Sequence, residues 1–229
     1  MTKEYAIEVR SVTKTYRTGK SELHALKNVS IQIEKGEFVA LIGRSGSGKS
    51  TLMNLLGCLD RPTSGNIFID GQNTSQLTDR MLAEIRGRKM GFIFQTFNLV
   101  PTLSALKNIM LPMVFGGFPR ASREQRSVEL LRRMELEKWA SHLPSELSGG
   151  QQQRIAIARA LANNPLIILA DEPTGNLDSK TGEQVMEFLS SINREGKTIV
   201  LVTHDPILVR YARRVITLSD GEVVDRHDV

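Results

Sequence analysis

Two rhythms of apolar residues run along the chain. Between residues 5 and 34 apolar and polar positions alternate in short pieces, AIEVRSV and HALKNVSIQIE, around the turn-forming run YRTGKSE. A period of two predicts strands with one buried face, paired antiparallel. Further on the strands are continuously apolar: FVALIG, LIILADE and KTIVLVTH. GNIFIDG is another short strand bounded by glycines, and RVITLSDGEVVDR predicts a hairpin on the Asp220–Gly221 turn. Helical spacing appears in TGEQVMEFLSSINREG, where Val185, Phe188, Leu189 and Ile192 fall at i, i+3, i+4 and i+7. A second helix is expected from about Lys49 to Gly57. Buried strands alternating with amphipathic helices predict an α/β fold whose parallel sheet is covered on both faces.

The stretch from about Thr96 to Leu147 carries no strand pattern. Within ASREQRSVELLRRMELEKWA, Ser122 and Gln125 have the spacing of a capping box, and Leu130, Leu131 and Met134 form an apolar stripe. This predicts a helical insertion in the α/β core. It ends in LSGGQQQRIAIARA, a turn entering a helix, where Ser148, Gly149 and Gly150 are expected to leave backbone N–H groups bare for an anion. No internal repeat, heptad run or low-complexity segment is evident.

Composition narrows the setting. The 229 residues are 40% hydrophobic and 24% charged with a net charge of +5, ordinary values for a globular protein. The basic residues are scattered, so no nucleic-acid partner is expected. The single cysteine, Cys58 in LMNLLGCLD, reads as a small core residue and fits a reducing compartment. The N-terminus lacks an apolar signal segment, and IMLPMVFGGF is about half the length a bilayer requires and contains Pro112. A cytoplasmic chain is expected, brought to a membrane only by something else.

The chemistry starts at GRSGSGKS. Gly43, Arg44, Ser45, Gly46, Ser47, Gly48, Lys49 and Ser50, with Thr51 behind them, match the P-loop pattern between a strand and a helix. Glycine-rich N–H groups converge on phosphate oxygens, Lys49 adds a charge between the β- and γ-phosphates, and Ser50 offers a hydroxyl to Mg²⁺. At the end of LIILADE, Asp171 is placed to hold Mg²⁺, and Glu172, one residue further, to polarise a water aimed at the γ-phosphate. Gln95, closing MGFIFQ, is placed to reach the metal or the water, and His204, closing IVLVTH, to sense the γ-phosphate. Strand ends are where open α/β sheets bind ligands. Tyr16, before a glycine turn, either stacks on a base or covers the sheet edge.

The order Gly43–Ser50, Gln95, Leu147–Gln151, Asp171–Glu172, His204 resembles the nucleotide-binding subunit of ATP-binding-cassette (ABC) transporters nearly end to end, with LSGGQ its most specific element. The resemblance implies a P-loop NTPase (RecA-like) core with an N-terminal antiparallel β subdomain and an inserted α-helical subdomain. It implies one ABC ATPase domain over 1–229, with core parts 1–95 and 152–229 and the helical part at 96–151. ATP and Mg²⁺ are the implied cofactors. Tyr16 becomes the adenine-stacking residue, Glu172 the catalytic glutamate, His204 the switch histidine, and Gln95 the residue of the Q-loop. Gly175–Asp178, GNLD here against the commoner SALD, becomes the D-loop. Two subunits are implied to associate head to tail, so that Ser148, Gly149, Gly150 and Gln151 close over ATP on the partner's P-loop.

GCLDRPTSG, FIFQTFNLVPTLSALKNIMLP and EPTGNLDSKTG look like the macrolide-exporter and lipoprotein-releasing (MacB/LolD-type) subfamily. A permease of the membrane is then expected to dock near Gln95–Leu103, where Phe97, Leu99, Val100 and Leu103 are apolar, or these residues simply pack the insertion. The alternative classes fit less well. A DNA-repair or chromosome ATPase of this kind carries coiled coils between P-loop and signature, whereas Ser50 to Leu147 is about one hundred residues without heptads. A translation-type factor carries two cassettes, and a small-molecule kinase leaves LSGGQ, Glu172 and His204 unexplained.

Overall fold

The computed structural model describes residues 4–19 and 21–229, with Thr18 described by its backbone alone. The alternating N-terminal stretch forms β1 (Tyr5–Thr18) and β2 (Ser21–Glu34), an antiparallel pair as expected. Lys20, in the expected turn, lies outside the described residues. β1 also pairs antiparallel with β4 (Ser64–Ile69), which pairs with the short β5 (Gln72–Asn73), giving a four-stranded sheet in the order β2-β1-β4-β5.

The continuous apolar runs become β3 (Phe38–Ile42), β6 (Met90–Ile93), β7 (Ile167–Asp171) and β8 (Thr198–Val202). With the hairpin β9 (Arg214–Ser219) and β10 (Glu222–Asp228) they make a six-stranded sheet, order β10-β9-β3-β8-β7-β6, parallel except at β10. Asp220 and Gly221 both have positive φ, 52° and 83°, as a two-residue hairpin turn of this kind requires.

Residues alternating along these strands feed two separate cores. Val39, Leu41, Leu169 and Val200 face the antiparallel sheet together with α1 (Lys49–Leu56) and α2 (Asp79–Lys89). Phe38, Ala40, Ile168 and Leu201 face α3 (Ala105–Phe115), α4 (Arg120–Arg133), α5 (Gly149–Leu161) and α6 (Ser179–Arg194). The sheet is thus covered on both sides, and burying such strands on two faces is what their unbroken apolar composition demands. Cys58 is buried in the first core, where burial pushes its thiol up to about 11.

Three details differ from expectation or refine it. The capping box at Ser122 and Gln125 is absent: Pro119, extended at φ −57° and ψ 148°, is the N-cap of α4 three residues earlier, and the Gln125 amide donates to Glu129 instead. The stripe Leu130, Leu131 and Met134 is buried as expected. The helix α5 starts at Gly149 and runs through the expected boundary at 151, packing on both α3 and β6. Among the described residues no helix is long and apolar enough to cross a membrane.

Candidate active site

In-register parallel pairing brings the strand ends level: Asp171 stands beside Val202, Ile93 beside Ala170, and Leu41 beside Val202. The loops that leave these ends therefore share one edge of the sheet. There they enclose a cleft of about 850 Å³ lined by Gly43, Arg44, Ser45, Gly46, Gly48, Lys49, Ser50, Thr51, Gln95, Asp171, Glu172, His204 and Tyr16. The strand-end residues singled out from the sequence do meet.

The P-loop is held by packing that only glycine permits at its entrance. Gly43 has φ 152°, and a Cβ there would stand 2.3 Å from the Leu218 carbonyl oxygen and 2.6 Å from Ser47 Oγ. Lys49 Nζ donates to the carbonyls of Gly43 (2.7 Å) and Arg44 (2.9 Å), which bends its charge back over the loop. Ser47 is the exception in this motif: it is buried beneath the loop rather than in the cleft wall, its N–H donating to the Arg44 carbonyl.

Burial and the neighbouring Glu172 carboxylate push the Asp171 carboxyl above its ordinary range, while Lys49 pulls the other way. Such a group gains from a cation close by. Glu172 leaves the strand in a left-handed conformation, φ 46°, fixed by its N–H to the Val202 carbonyl (2.9 Å) and by Gly175 N–H to its own carbonyl (3.0 Å). His204 Nδ1 lies 2.6 Å from Glu172 Oε1, while the imidazole is largely open to solvent. Gln95 lies just past β6, and its carbonyl accepts from Asn176 Nδ2 at 2.8 Å.

Tyr16 stands at the rim. Its hydroxyl donates to Asp60 (2.9 Å), and Lys14 Nζ, itself bonded to Asp60 at 2.7 Å, sits 4.8 Å from the ring centroid. The ring is half-open and fixed in place, which suits a stacking platform. The cleft also has walls that sequence patterning did not mark: Leu23, His24, Ala25, Lys27, Asp220 and Gly221. The hairpin turn and β2 join the loop through Gly221 N–H to the Ser47 carbonyl (3.1 Å) and Lys27 N–H to the Gly221 carbonyl (2.8 Å). Such contacts join distant stretches of chain, and the only local signal was the Asp-Gly turn itself.

Ser148, Gly149, Gly150, Gln151 and Asp178 lie outside this cleft. Ser148 caps α5 in a true capping box: Gln151 N–H donates to its Oγ (3.3 Å), and its own N–H donates to Gln151 Oε1 (2.9 Å). The expectation of a bare Ser148 N–H is therefore corrected. Gly149 and Gly150, in the first turn, have no acceptor within the helix. Asp178 is likewise a cap, at α6: its carboxylate accepts from Thr181 N–H (3.0 Å) and Thr181 Oγ1 (2.6 Å), and the Thr181 bonds hold its carboxyl below the usual range.

A second, mainly apolar groove of about 570 Å³ lies between α2, β6, α3 and α5, lined by residues that include Leu59, Phe92, Phe94, Leu111 and Phe115. Phe115 is 83% exposed. Phe97, Leu99, Val100 and Leu103 are half-buried instead, and the fully buried Asn108 amide bonds Val100 on both its N–H (2.7 Å) and carbonyl (3.1 Å) and Leu103 on its carbonyl (2.8 Å). From that segment Asn98 reaches the groove.

Residues 26–175 match the family model described as ABC transporter. The chain is 55% identical over 222 residues to the uncharacterized ABC transporter ATP-binding protein MJ0796 of Methanocaldococcus jannaschii, covering 95% of this chain and 94% of that one. It is 52% identical over 218 residues to the macrolide export ATP-binding/permease protein MacB of Escherichia coli, covering 95% of this chain but 34% of that protein. The chain therefore spans about a third of the length of that relative. A solved structure of the MJ0796 cassette, a dimer in a post-hydrolysis state bound to ADP and Pi, superposes with a TM-score of 0.90 at 52% identity, covering 97% of this chain and 98% of the other. These are transporter cassettes and not the DNA-repair class. The chain belongs to the ABC transporter family, as an ATP-binding and ATP-hydrolysing cassette.

Proposed function

We propose that two copies of this chain pair head to tail around two ATP molecules and that hydrolysis separates them, driving a permease. The observation that carries this reading is the division of the site. One cleft gathers the P-loop, Gln95, Asp171, Glu172 and His204, while the signature, with open Gly149 and Gly150 N–H groups at a helix start, faces elsewhere. An anion cradle without a lysine complements one that has it. The dimeric arrangement of the MJ0796 cassette supports the pairing.

In this scheme Gly43–Gly46 and Gly48–Thr51 wrap the phosphates with Ser47 bracing the loop from beneath, Tyr16 stacks on adenine, Glu172 orients and deprotonates the attacking water, and His204 holds Glu172 in place. Ser50, Gln95 and Asp171 line the cleft with a hydroxyl, an amide and a carboxylate oxygen, the hard donors Mg²⁺ takes when phosphate oxygens complete its shell. The residues fit the ion, which when bound neutralises charge on the transferring phosphate. The single ABC domain has its core in 1–95 and 152–229 and its helical part in 96–151, with α5 (Gly149–Leu161) crossing the second boundary and tying the two together.

The apolar groove beside Phe94 and Asn98 suits a short helix of an integral-membrane permease, and it adjoins the Gln95–Leu103 segment. The relatives that join cassette and permease in one protein support a MacB/LolD-type subunit held at the cytoplasmic face of the membrane by that partner. The test is complementation. Lys49→Ala and Ser148→Arg are each expected to be inactive alone, and a mixture to recover hydrolysis, because one composite site then contains both intact halves. Absence of any recovery at concentrations that pair the wild type sinks the scheme.

A further inference from the structure

Two positions in GNLD depart from the commoner SALD, and both touch Gln95. A Cβ on Gly175 would stand 2.7 Å from Gln95 Nε2, 3.2 Å from its Cδ and 3.3 Å from its Cγ. The next residue, Asn176, donates its amide to the Gln95 carbonyl at 2.8 Å. We infer that Gly175 and Asn176 are positioning residues: together they form the seat that fixes where the Gln95 side chain lies. The inference rests on Gln95 acting at the nucleotide site of its own chain.

The seat is firm on its other sides. Gly175 N–H donates to the Glu172 carbonyl (3.0 Å), Leu177 N–H donates to the Thr174 carbonyl (3.0 Å), and Asp178 caps α6. Gln95 is the mobile partner, since its side chain has three rotatable bonds and the crowded atoms belong to it. Gly175 also lies outside the left-handed region, so a larger residue meets no backbone strain there. Serine at 175 therefore displaces Gln95 and leaves the fold intact. Alanine at 176 removes the bond that holds the Gln95 backbone.

The seat also has a far side. The Asn176 carbonyl oxygen and the Leu177 side chain come within 3.8 and 3.7 Å of where a Gly149 Cβ would stand. Gln95 in the cleft, Gly175–Asn176 behind it and Gly149 at the start of α5 thus lie in one row.

The test is a cycle on the full chain with Gly175→Ser/Asn176→Ala, Gln95→Ala and the triple variant, read by steady-state hydrolysis, ATP binding and thermal unfolding. The pair is expected to lower kcat about tenfold, as a misplaced positioning group does, with KM changed less than about twofold and Tm unchanged. In the Gln95→Ala background the pair is expected to cause no further loss. Full kcat in the pair, or an equal loss with Gln95 already removed, overturns the seat. If Gln95→Ala itself leaves kcat intact, the role of Gln95 at the site fails and the seat with it. If Gln95→Ala is slow and the pair is not, only the seat fails. Gly175→Ala, the smallest change, guards against a folding effect: it is expected to lower kcat at unchanged Tm, and a fall in Tm with normal kcat also refutes the seat.

Discussion

Glu172→Gln isolates the charge of one side chain while keeping its shape. The Glu172 side chain is 17% exposed and lies 2.6 Å from His204 Nδ1, a contact the amide oxygen can keep. Gly43, Arg44 and Lys49 are untouched, so ATP affinity of the monomer is expected to stay within about twofold. The proton acceptor is lost. A positioned base contributes about 10²–10⁴ in rate, or ~3–5.5 kcal/mol of barrier, so kcat is expected to fall by that factor. Losing the carboxylate also removes the charge that pushes the Asp171 carboxyl upward and that repels the triphosphate in a closed cleft.

If hydrolysis is what opens the dimer, its lifetime lengthens by the same factor. With a turnover of about 10 per second, the closed state of the wild type lasts ~0.1 s and that of the variant ~10–1000 s. The upper part of that range spans a gel-filtration run. Gel filtration with ATP is expected to show a dimer for Glu172→Gln and a monomer for the wild type, and single-turnover measurements give the hydrolysis rate directly. A variant that hydrolyses ATP within about threefold of wild type removes Glu172 from the reaction. A variant slowed about 10⁴-fold that stays monomeric with ATP refutes the pairing.

Three other outcomes follow from the same geometry. Lys49→Ala is expected to weaken ATP binding of the isolated chain at least about tenfold, since a cation donating among the phosphates is lost, and a calorimetric affinity equal to wild type contradicts the P-loop assignment. Asn108→Ala strips a fully buried amide from Val100, Leu103 and Ser104, leaving backbone groups unpaired. It should cost about 2–4 kcal/mol in urea unfolding, and an unchanged midpoint means that the loop is held by something else. The Asp70 carboxylate is held below its ordinary range by the ammonium groups of Lys89 (2.8 Å) and Lys35 (2.9 Å). A lowered folded value gives stability present above the unfolded pKa of about 3.9 and lost as pH falls through the folded one. Asp70→Asn is therefore expected to cost about 0.5–1 kcal/mol at neutral pH, discounted for partial exposure, and nothing in strong acid. A pH-independent difference refutes the ion-pair account.

The parts of this molecule that could be read from its sequence are those set by short-range periodicity. FVALIG, LIILADE and KTIVLVTH are strands because nothing else buries an unbroken apolar run of that length between glycines and polar turns, and parallel register then brings Gly43, Asp171 and His204 to one edge. What failed to show depends on pairs far apart in sequence. Leu23–Ala25 wall the cleft only because β2 folds back onto the P-loop, and the groove at Phe94 and Phe115 needs α2, α3 and α5 together. The error at Ser122 has a local cause. Pro119 already supplies an extended residue before a helix, so α4 starts there and Ser122 has no N–H left to cap. At Ser148 the same spacing does form a capping box, which is why the expectation of a bare N–H there failed.

The capping at Ser148 limits how the signature can act. Its hydroxyl and N–H are committed to Gln151, and a Cβ on Gly150 would stand 2.6 Å from Thr181 Cγ2, so the start of α5 is pressed against the capped start of α6. The other end of α5 is tied as well, with Arg159 donating to the carbonyls of Phe97 (2.8 Å) and Asn98 (2.5 Å), both in left-handed backbone. A helix fixed at both ends meets a phosphate by moving as a body. On the proposed pairing, the Gly149 and Gly150 N–H groups meet the partner's ATP as part of a helix tied to the segment after Gln95. The proposed closure over nucleotide is thereby linked to the apolar groove that Asn98 and Arg159 line.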